Sequence, residues 1–282
     1  NTIHSKRCNK LSGQNRNFKK SISLAKNGFN PSPRFIRSIS LAIEVGIDHS
    51  PAFKLLYLPN DVLPSKHFPF RNYGLASTLT KFANGGANEF YRGSIAKQLI
   101  IDIESLQKSS GSVKILSKND LSAYRIRERK PLCREYRVWT ICSFPPPSGG
   151  GLAVLQSLGI YEFLSKEGWS ELTLNHWHAL SESLRLADAD RSHWISDPID
   201  FPVPIDGLLQ DAYIKGRSEN IQFDKVTLSP LPGMPEGGET LDLVSQPRTS
   251  EGGTTHLVVV DSQGNIASYT SSVETVFGSR HI

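Results

Sequence analysis

The chain has 282 residues, 38% hydrophobic and 21% charged, enough apolar material for one large core or two smaller ones. No stretch approaches the roughly 20 apolar residues of a membrane span, and the N-terminal region lacks the apolar core of a signal peptide. Residues 1–43 hold nine Lys or Arg and no acid, leaving 23 basic and 27 acidic residues elsewhere, so the net charge of +5 is a terminal feature that reads as a solvated end and not a nucleic-acid arm. The sequence begins at Asn1 and its single methionine is Met234, so a missing leader carries no weight.

Taken in order, residues 1–20 are polar and weakly periodic. Leu24, Phe35, Ile36, Ile39, Leu41, Ala42 and Ile43 then predict two short helices broken at Asn30-Pro31-Ser32-Pro33. The spacing of Leu79, Phe82 and Ala83 predicts a helix from Ser77 that closes at Gly85-Gly86. Phe90 to Leu106 reads as the next helix, and Asn119-Asp120 opens a short one before Tyr124. The β-branched and aromatic run Arg137 to Phe144 predicts a strand stopped by Pro145-Pro146-Pro147.

After Ser148 and three glycines, Leu152 to Leu164 has helical length and spacing, with Ser148 as the expected cap. His176 to Trp194 carries Trp177, Leu180, Leu184 and Ala187 on one expected apolar face. Residues 229–253 turn to Pro, Gly, Ser and Glu without periodicity and read as a flexible linker. Leu257 to Val260 and Ile266 to Ser271 then predict two strands joined by a glycine-containing turn. A lone hairpin is marginally stable, so further strands are expected beyond Ile282. Cys8, Cys133 and Cys142 lack zinc-site spacing and disulfide density, so idle thiols are expected and a Cys133–Cys142 bridge has no support in the sequence.

A linker that delivers Gly253-Thr254 to a hairpin is the arrangement a self-cleaving N-terminal nucleophile needs. The Thr254 hydroxyl would attack the Gly253 carbonyl, an N-to-O acyl shift would give an ester, and water would release a new N-terminus at Thr254. That residue would then hold nucleophile and base together, since a free α-amine titrates at about 7.7 to 8.0. Gly253 has no Cβ to resist the distortion, and the Thr254 methyl restricts χ1. Alone, a Thr pair at a strand mouth is more often a packing feature.

The motifs Thr254-Thr255-His256, Val259-Val260-Asp261, Gly264-Asn265 and Phe277-Gly278-Ser279 together resemble the start of the small subunit of γ-glutamyltransferases. EFYRGSIA (Glu89 to Ala96), DLSAYRIRERKPL (Asp120 to Leu132), PPPSGG (Pro145 to Gly150) and ADRSHWISDP (Ala189 to Pro198) resemble large-subunit signatures in the family's order. The resemblance covers roughly residues 20–282. It implies the four-layer αββα N-terminal nucleophile hydrolase fold, an α/β class, with residues 1–253 as an incomplete, mostly helical large-subunit portion and 254–282 as the first small-subunit hairpin.

Carried over residue by residue, the resemblance implies Thr254 as nucleophile, cleavage after Gly253, and Ser272 as the hydroxyl that assists maturation, a position usually Thr. Glu274 falls where most members have an Asn that contacts the glutamyl amino and carboxylate groups. A carboxylate there pairs an ammonium but repels the substrate's α-carboxylate. The implied substrates are glutathione and other γ-glutamyl compounds, with water, amino acids or peptides as acceptors; the implied partner is the chain's own small subunit. No cofactor, metal, nucleic acid or membrane is implied, and the implied compartment is periplasmic or secreted. The family's oxyanion hole and glutamate clamp lie beyond the residues given, so no turnover is expected of this chain alone. A side-chain acylase of cephalosporin acylase type and a non-catalytic remnant or interaction module are the competing readings. His256 is expected as a packed strand residue and not a base. Asp190, Arg191, His193 and Trp194 are expected as a polar network at a helix end, and Arg92, Arg127, Arg129 and Lys130 as ion pairs.

Overall fold

A computed structural model describes residues 11–44, 46–47, 50–65, 67–110, 116–165, 170, 173–238 and 254–273. The backbone divides into two units, 1–126 with 250–282, and 127–249.

In the first unit, α1 (Leu11–Asn27) and α2 (Pro33–Glu44) flank the Pro31–Pro33 break that the sequence predicts. Proline suits the first helical turn because its missing N–H would have no partner there, and α3 (Pro51–Tyr57) uses the same device with Ser50 accepting from the Phe53 amide. Ile39, Ala42, Ile47, Phe53 and Leu58 form a buried core. Beside it the ring of Phe70 stacks on Tyr57 and tilts against Phe35 at 4.9 Å. Burial raises the Tyr57 hydroxyl above its ordinary value.

The helix α4 (Tyr73–Tyr91) does break at the predicted glycines: Gly86 leaves helical geometry with φ 61 and ψ −154, a conformation only glycine takes without strain. The next helix, predicted to run from Phe90, is interrupted first. Arg92 caps α4 and α5 (Ser94–Ser110) starts two residues later. Its start is fixed by the Glu89 carboxylate, which accepts from the Ser94 amide and hydroxyl and is thereby held below its usual range. A short helix α6 (Lys118–Ala123) has a reciprocal capping box between Ser117 and Asp120. Arg92 reaches back to it and donates to the Ser122 carbonyl at 2.6 Å.

The second unit opens with a hairpin where a single strand is predicted. Strands β1 (Leu132–Tyr136) and β2 (Trp139–Ser143) pair antiparallel around a turn in which Arg137 has φ 53. The charged sequence of β1 hides its strand character. This pairing sets Cys133 opposite Cys142, and the two are joined by a disulfide with Cα atoms 4.1 Å apart, contrary to the idle thiols expected from spacing.

The chain then turns through Pro145–Pro147 into α7 (Gly149–Leu164). Ser148 stands at the N-cap position, but its side chain makes no capping bond. A Cβ on Gly151 would collide with the Phe144 carbonyl, so this glycine serves the close approach of the helix to the end of β2.

Helix α8 (Leu174–Trp194) packs on α7, with α9 (Ile205–Leu209) and α10 (Asp211–Ser218) closing the unit. Its predicted apolar face is only partly the buried one: Ala187 is buried, but Trp177 is 58% exposed and Leu184 49%. Ala179, Glu182, Ser183, Leu186, Ala189, Asp190 and Trp194 are buried with Ala187. Three polar residues face inward because each has a partner, which hydrophobic periodicity does not register.

Asp190 has no exposed surface. It accepts from Gly233 N (2.8 Å), Tyr213 Oη (2.9 Å) and Gln156 Nε2 (2.8 Å), and pairs with Arg217 at 3.0 Å. Burial pushes its carboxyl above the ordinary value, against the pull of Arg217 and these donors, and raises the Tyr213 hydroxyl also. Arg217 donates to the Leu186 and Leu231 carbonyls, and Trp194 Nε1 to the Gly233 carbonyl. Leu231 to Gly238, assigned to a flexible linker by composition, are therefore held on the helices, with Pro235 fully buried. The rest of that segment, 239–253, lies outside the described residues. Arg129 pairs with Asp197 at 3.1 Å, as expected.

Removing one member of a buried ion pair strands the other. Asp190→Leu is expected to lower unfolding free energy by about 3–5 kcal/mol, while Asp190→Leu with Arg217→Met recovers much of the loss. Urea denaturation of both singles and the double checks this as a coupling energy.

Candidate active site

Strand β3 (Thr254–Val260) and β4 (Ile266–Ser272) form the second hairpin, as the sequence predicts. The register runs from Thr254 opposite Ser272 to Val260 opposite Ile266, so a loop centred on Gln263 determines every pair. That loop is built by Asp261. Its carboxylate accepts from the Gln263 and Asn265 amides, both at 2.9 Å, and from the Asn265 side chain at 2.8 Å. The Asn265 side-chain and backbone donors hold the Asp261 carboxyl below its ordinary value. Gly264 takes φ 78 to finish the turn.

Side chains alternate across a strand, so Thr254, His256, Val258 and Val260 share a face with Ser272, Thr270, Ser268 and Ile266. The opposite face carries Leu257 and Val259 against Tyr269 and Ala267. Both faces are exposed among the described residues. On the first face Thr254 Oγ1 donates to Ser272 Oγ at 3.0 Å. The His256 ring bonds Thr270 Oγ1 at 2.7 Å through Nδ1 and lies 3.5 Å from Ser268 Oγ through Nε2. His256 is thus an exposed, cross-strand-bonded residue and not a packed one.

The sequence-predicted residues Thr254 and Ser272 are brought together, whereas Gly253 and Glu274 lie outside the described residues. Ser268 and Thr270 were missed as neighbours of the site. Counting by twos from Ser272 along β4 would have found both. A neutral hydroxyl such as Ser272 orients Thr254 but is too weak a base to ionise it. Chemistry at Thr254 therefore calls for a separate proton acceptor. No group of three or more His, Cys, Asp or Glu fit for a metal occurs among the described residues, and no helix among them is long and apolar enough to cross a membrane.

Acidification below the ordinary carboxylate range removes the acceptor that shapes the 261–265 loop, because a depressed carboxyl stabilises only while ionised. Asp261→Ala is expected to increase hydrogen exchange at the Gln263 and Asn265 amides at neutral pH. In the wild type the same increase is expected only as pH falls through the depressed Asp261 value.

The gamma-glutamyltranspeptidase family model matches residues 10–282. The glutathione hydrolase proenzyme of Bacillus subtilis (strain 168) is 33% identical over 263 residues, covering 92% of this chain and 43% of that protein. The chain thus spans less than half the length of that relative.

Among solved structures, Helicobacter pylori gamma-glutamyltranspeptidase aligns with TM-score 0.69 and 30% identity, over 82% of this chain and 69% of that one. The cephalosporin acylase from Bacillus halodurans aligns with TM-score 0.77 and 25% identity, over 95% of this chain and 46% of that one. The fold is that of N-terminal nucleophile hydrolases, here mostly helical with two antiparallel hairpins. The chain belongs to the gamma-glutamyltranspeptidase family.

Proposed function

We propose that the protein matures by cleavage between Gly253 and Thr254 and then acts as a γ-glutamyltransferase and glutathione hydrolase. The contact between the Thr254 and Ser272 hydroxyls carries the proposal. In the uncleaved chain Thr254 Oγ1 attacks the Gly253 carbonyl carbon, with Ser272 holding the hydroxyl in place. The C–N bond breaks as the ester forms, and the nitrogen leaves as an amine. Water hydrolyses the ester, giving a carboxylate at Gly253 and a free α-amine at Thr254.

In the mature enzyme that amine takes the proton from Thr254 Oγ1, which attacks the γ-carbonyl of glutathione or another γ-glutamyl amide; the amide C–N bond breaks and its nitrogen takes that proton and leaves as an amine. The γ-glutamyl-threonyl ester is then resolved by water or by the amine of an amino acid or peptide. Residues 1–253 and the chain beginning at Thr254 act as large and small subunits, with the linker ahead of Thr254 as the cleavage segment. No cofactor is called for. The Cys133–Cys142 disulfide supports the periplasmic or secreted location that the family resemblance implies.

A related side-chain acylase is the second reading, favoured by Glu274 and by the likeness to the cephalosporin acylase. Glu274 pairs with a substrate ammonium and repels a neighbouring carboxylate.

The full-length gene product is expected to run as two chains on a denaturing gel, with Thr254→Ala remaining single and Ser272→Ala processed more slowly. A wild type that also stays single removes the support for Thr254. Mature enzyme assayed on γ-glutamyl-p-nitroanilide and on the matching glutaryl amide decides between the readings. Because only the γ-glutamyl group carries the ammonium that a carboxylate pairs, Glu274→Asn is expected to lower kcat/KM for the γ-glutamyl compound about tenfold relative to the glutaryl one, equivalent to about 1.4 kcal/mol of discrimination.

A further inference from the structure

The disulfide of the first hairpin lies on the face that the core does not use. Cys133 and Glu135 of β1, with Thr140 and Cys142 of β2, are exposed, whereas Leu132, Arg134 and Tyr136 alternate with them towards the helices. The hairpin is secured without the bridge. Leu132 packs against the cluster of Leu152, Trp194 and Leu208, and Arg134 binds the Asp211 carboxylate at 2.7 Å and the Leu209 carbonyl at 3.2 Å. The bridged cysteines are only 9 positions apart in sequence, and short loops draw the least stabilisation from a cross-link. An exposed bridge that the fold does not require is the kind that exchanges with free thiols.

Of the two cysteines, Cys133 lines a cavity. A hollow of about 490 Å³ is lined by Cys133, Arg134, Glu135, Glu162 and Asp211, with Phe163 and Leu209 as its apolar wall. Its charged lining is three carboxylates against one guanidinium, and that guanidinium is already paired with Asp211. The surplus is negative. Glu162 accepts from the Arg137 amide and Glu135 from the Thr140 hydroxyl, so both side chains are held in place.

We infer that Cys133–Cys142 is an exchangeable disulfide that takes a small aminothiol, its ammonium held by the Glu135 and Glu162 side of the cavity and its sulfur delivered to Cys133. The incoming thiolate forms a bond to Cys133 Sγ. The Cys133–Cys142 bond breaks, and its electron pair leaves on Cys142 as a thiolate, which takes a proton from water. A second thiol attacks the mixed disulfide, releases a small-molecule disulfide and leaves two cysteine thiols. Two thiols have then given up two electrons to the protein. None of these steps depends on chemistry at Thr254.

The test uses the intact protein carrying Cys8→Ser, in native buffer, with 2-aminoethanethiol and 3-mercaptopropionate as probes. Adducts are trapped by alkylation and located by peptide mass spectrometry, with rates normalised to thiolate concentration. Expected is an adduct on Cys133 with unchanged far-UV circular dichroism, formed about fivefold faster by the aminothiol at low salt. The ratio falls towards one at about 1 M salt, and Glu162→Gln lowers it at low salt. An adduct that needs denaturant, an adduct on Cys142, or a carboxylate thiol that reacts equally fast overturns the inference.

Discussion

The register of the second hairpin is the constraint on which the site depends. A strand has period two, so a slip of one residue would carry Thr254 from the hydroxyl face to the face of Leu257 and Tyr269. Asp261 prevents the slip by accepting from three donors within the loop. The Thr254–Ser272 contact forms at the far end of the ladder as a consequence. Short-range hydrogen bonding in a five-residue loop thus sets the geometry of a hydroxyl pair seven residues away along each strand.

The second unit solves a different problem. Asp190 and Arg217 are buried together, and such a pair gives stability only when its remaining hydrogen-bonding capacity is met. Tyr213, Gln156 and the Gly233 amide meet it on the carboxylate side, and the Leu186 and Leu231 carbonyls meet part of it on the guanidinium side, where the buried Arg217 Nε has no partner. Because Gly233 and Leu231 belong to a Pro- and Gly-rich stretch, the network secures backbone that has little apolar surface of its own to bury. It also accounts for the inward-facing Asp190 of α8.

Where sequence and structure agree, a local signal was sufficient. The Pro31–Pro33 break, the Gly86 interruption, the short helix before Tyr124 and the hairpin from Thr254 to Ser272 all rest on residues close in the chain. Thr254 was legible from the linker ahead of it and the family resemblance, and Ser272 from the resemblance; the short turn between them sets the two opposite each other. Where the two differ, the deciding partner is distant. β1 reads as charged loop until β2 is paired with it, and only that pairing brings Cys133 to Cys142. The buried face of α8 is chosen by Arg217, Tyr213 and Thr227, 23 to 45 residues away in sequence for the bonds they make to Asp190 and Glu182. The packing of Leu231 to Gly238 depends on the same remote side chains and left no trace in composition.

The central claim is that this register prepares Thr254 to become a chain terminus. N-terminal sequencing of the smaller chain of the full-length protein, isolated without added protease, tests it most directly. The account predicts Thr-Thr-His-Leu as the first four residues. A start at any other residue, or a product that yields no second chain, would contradict it.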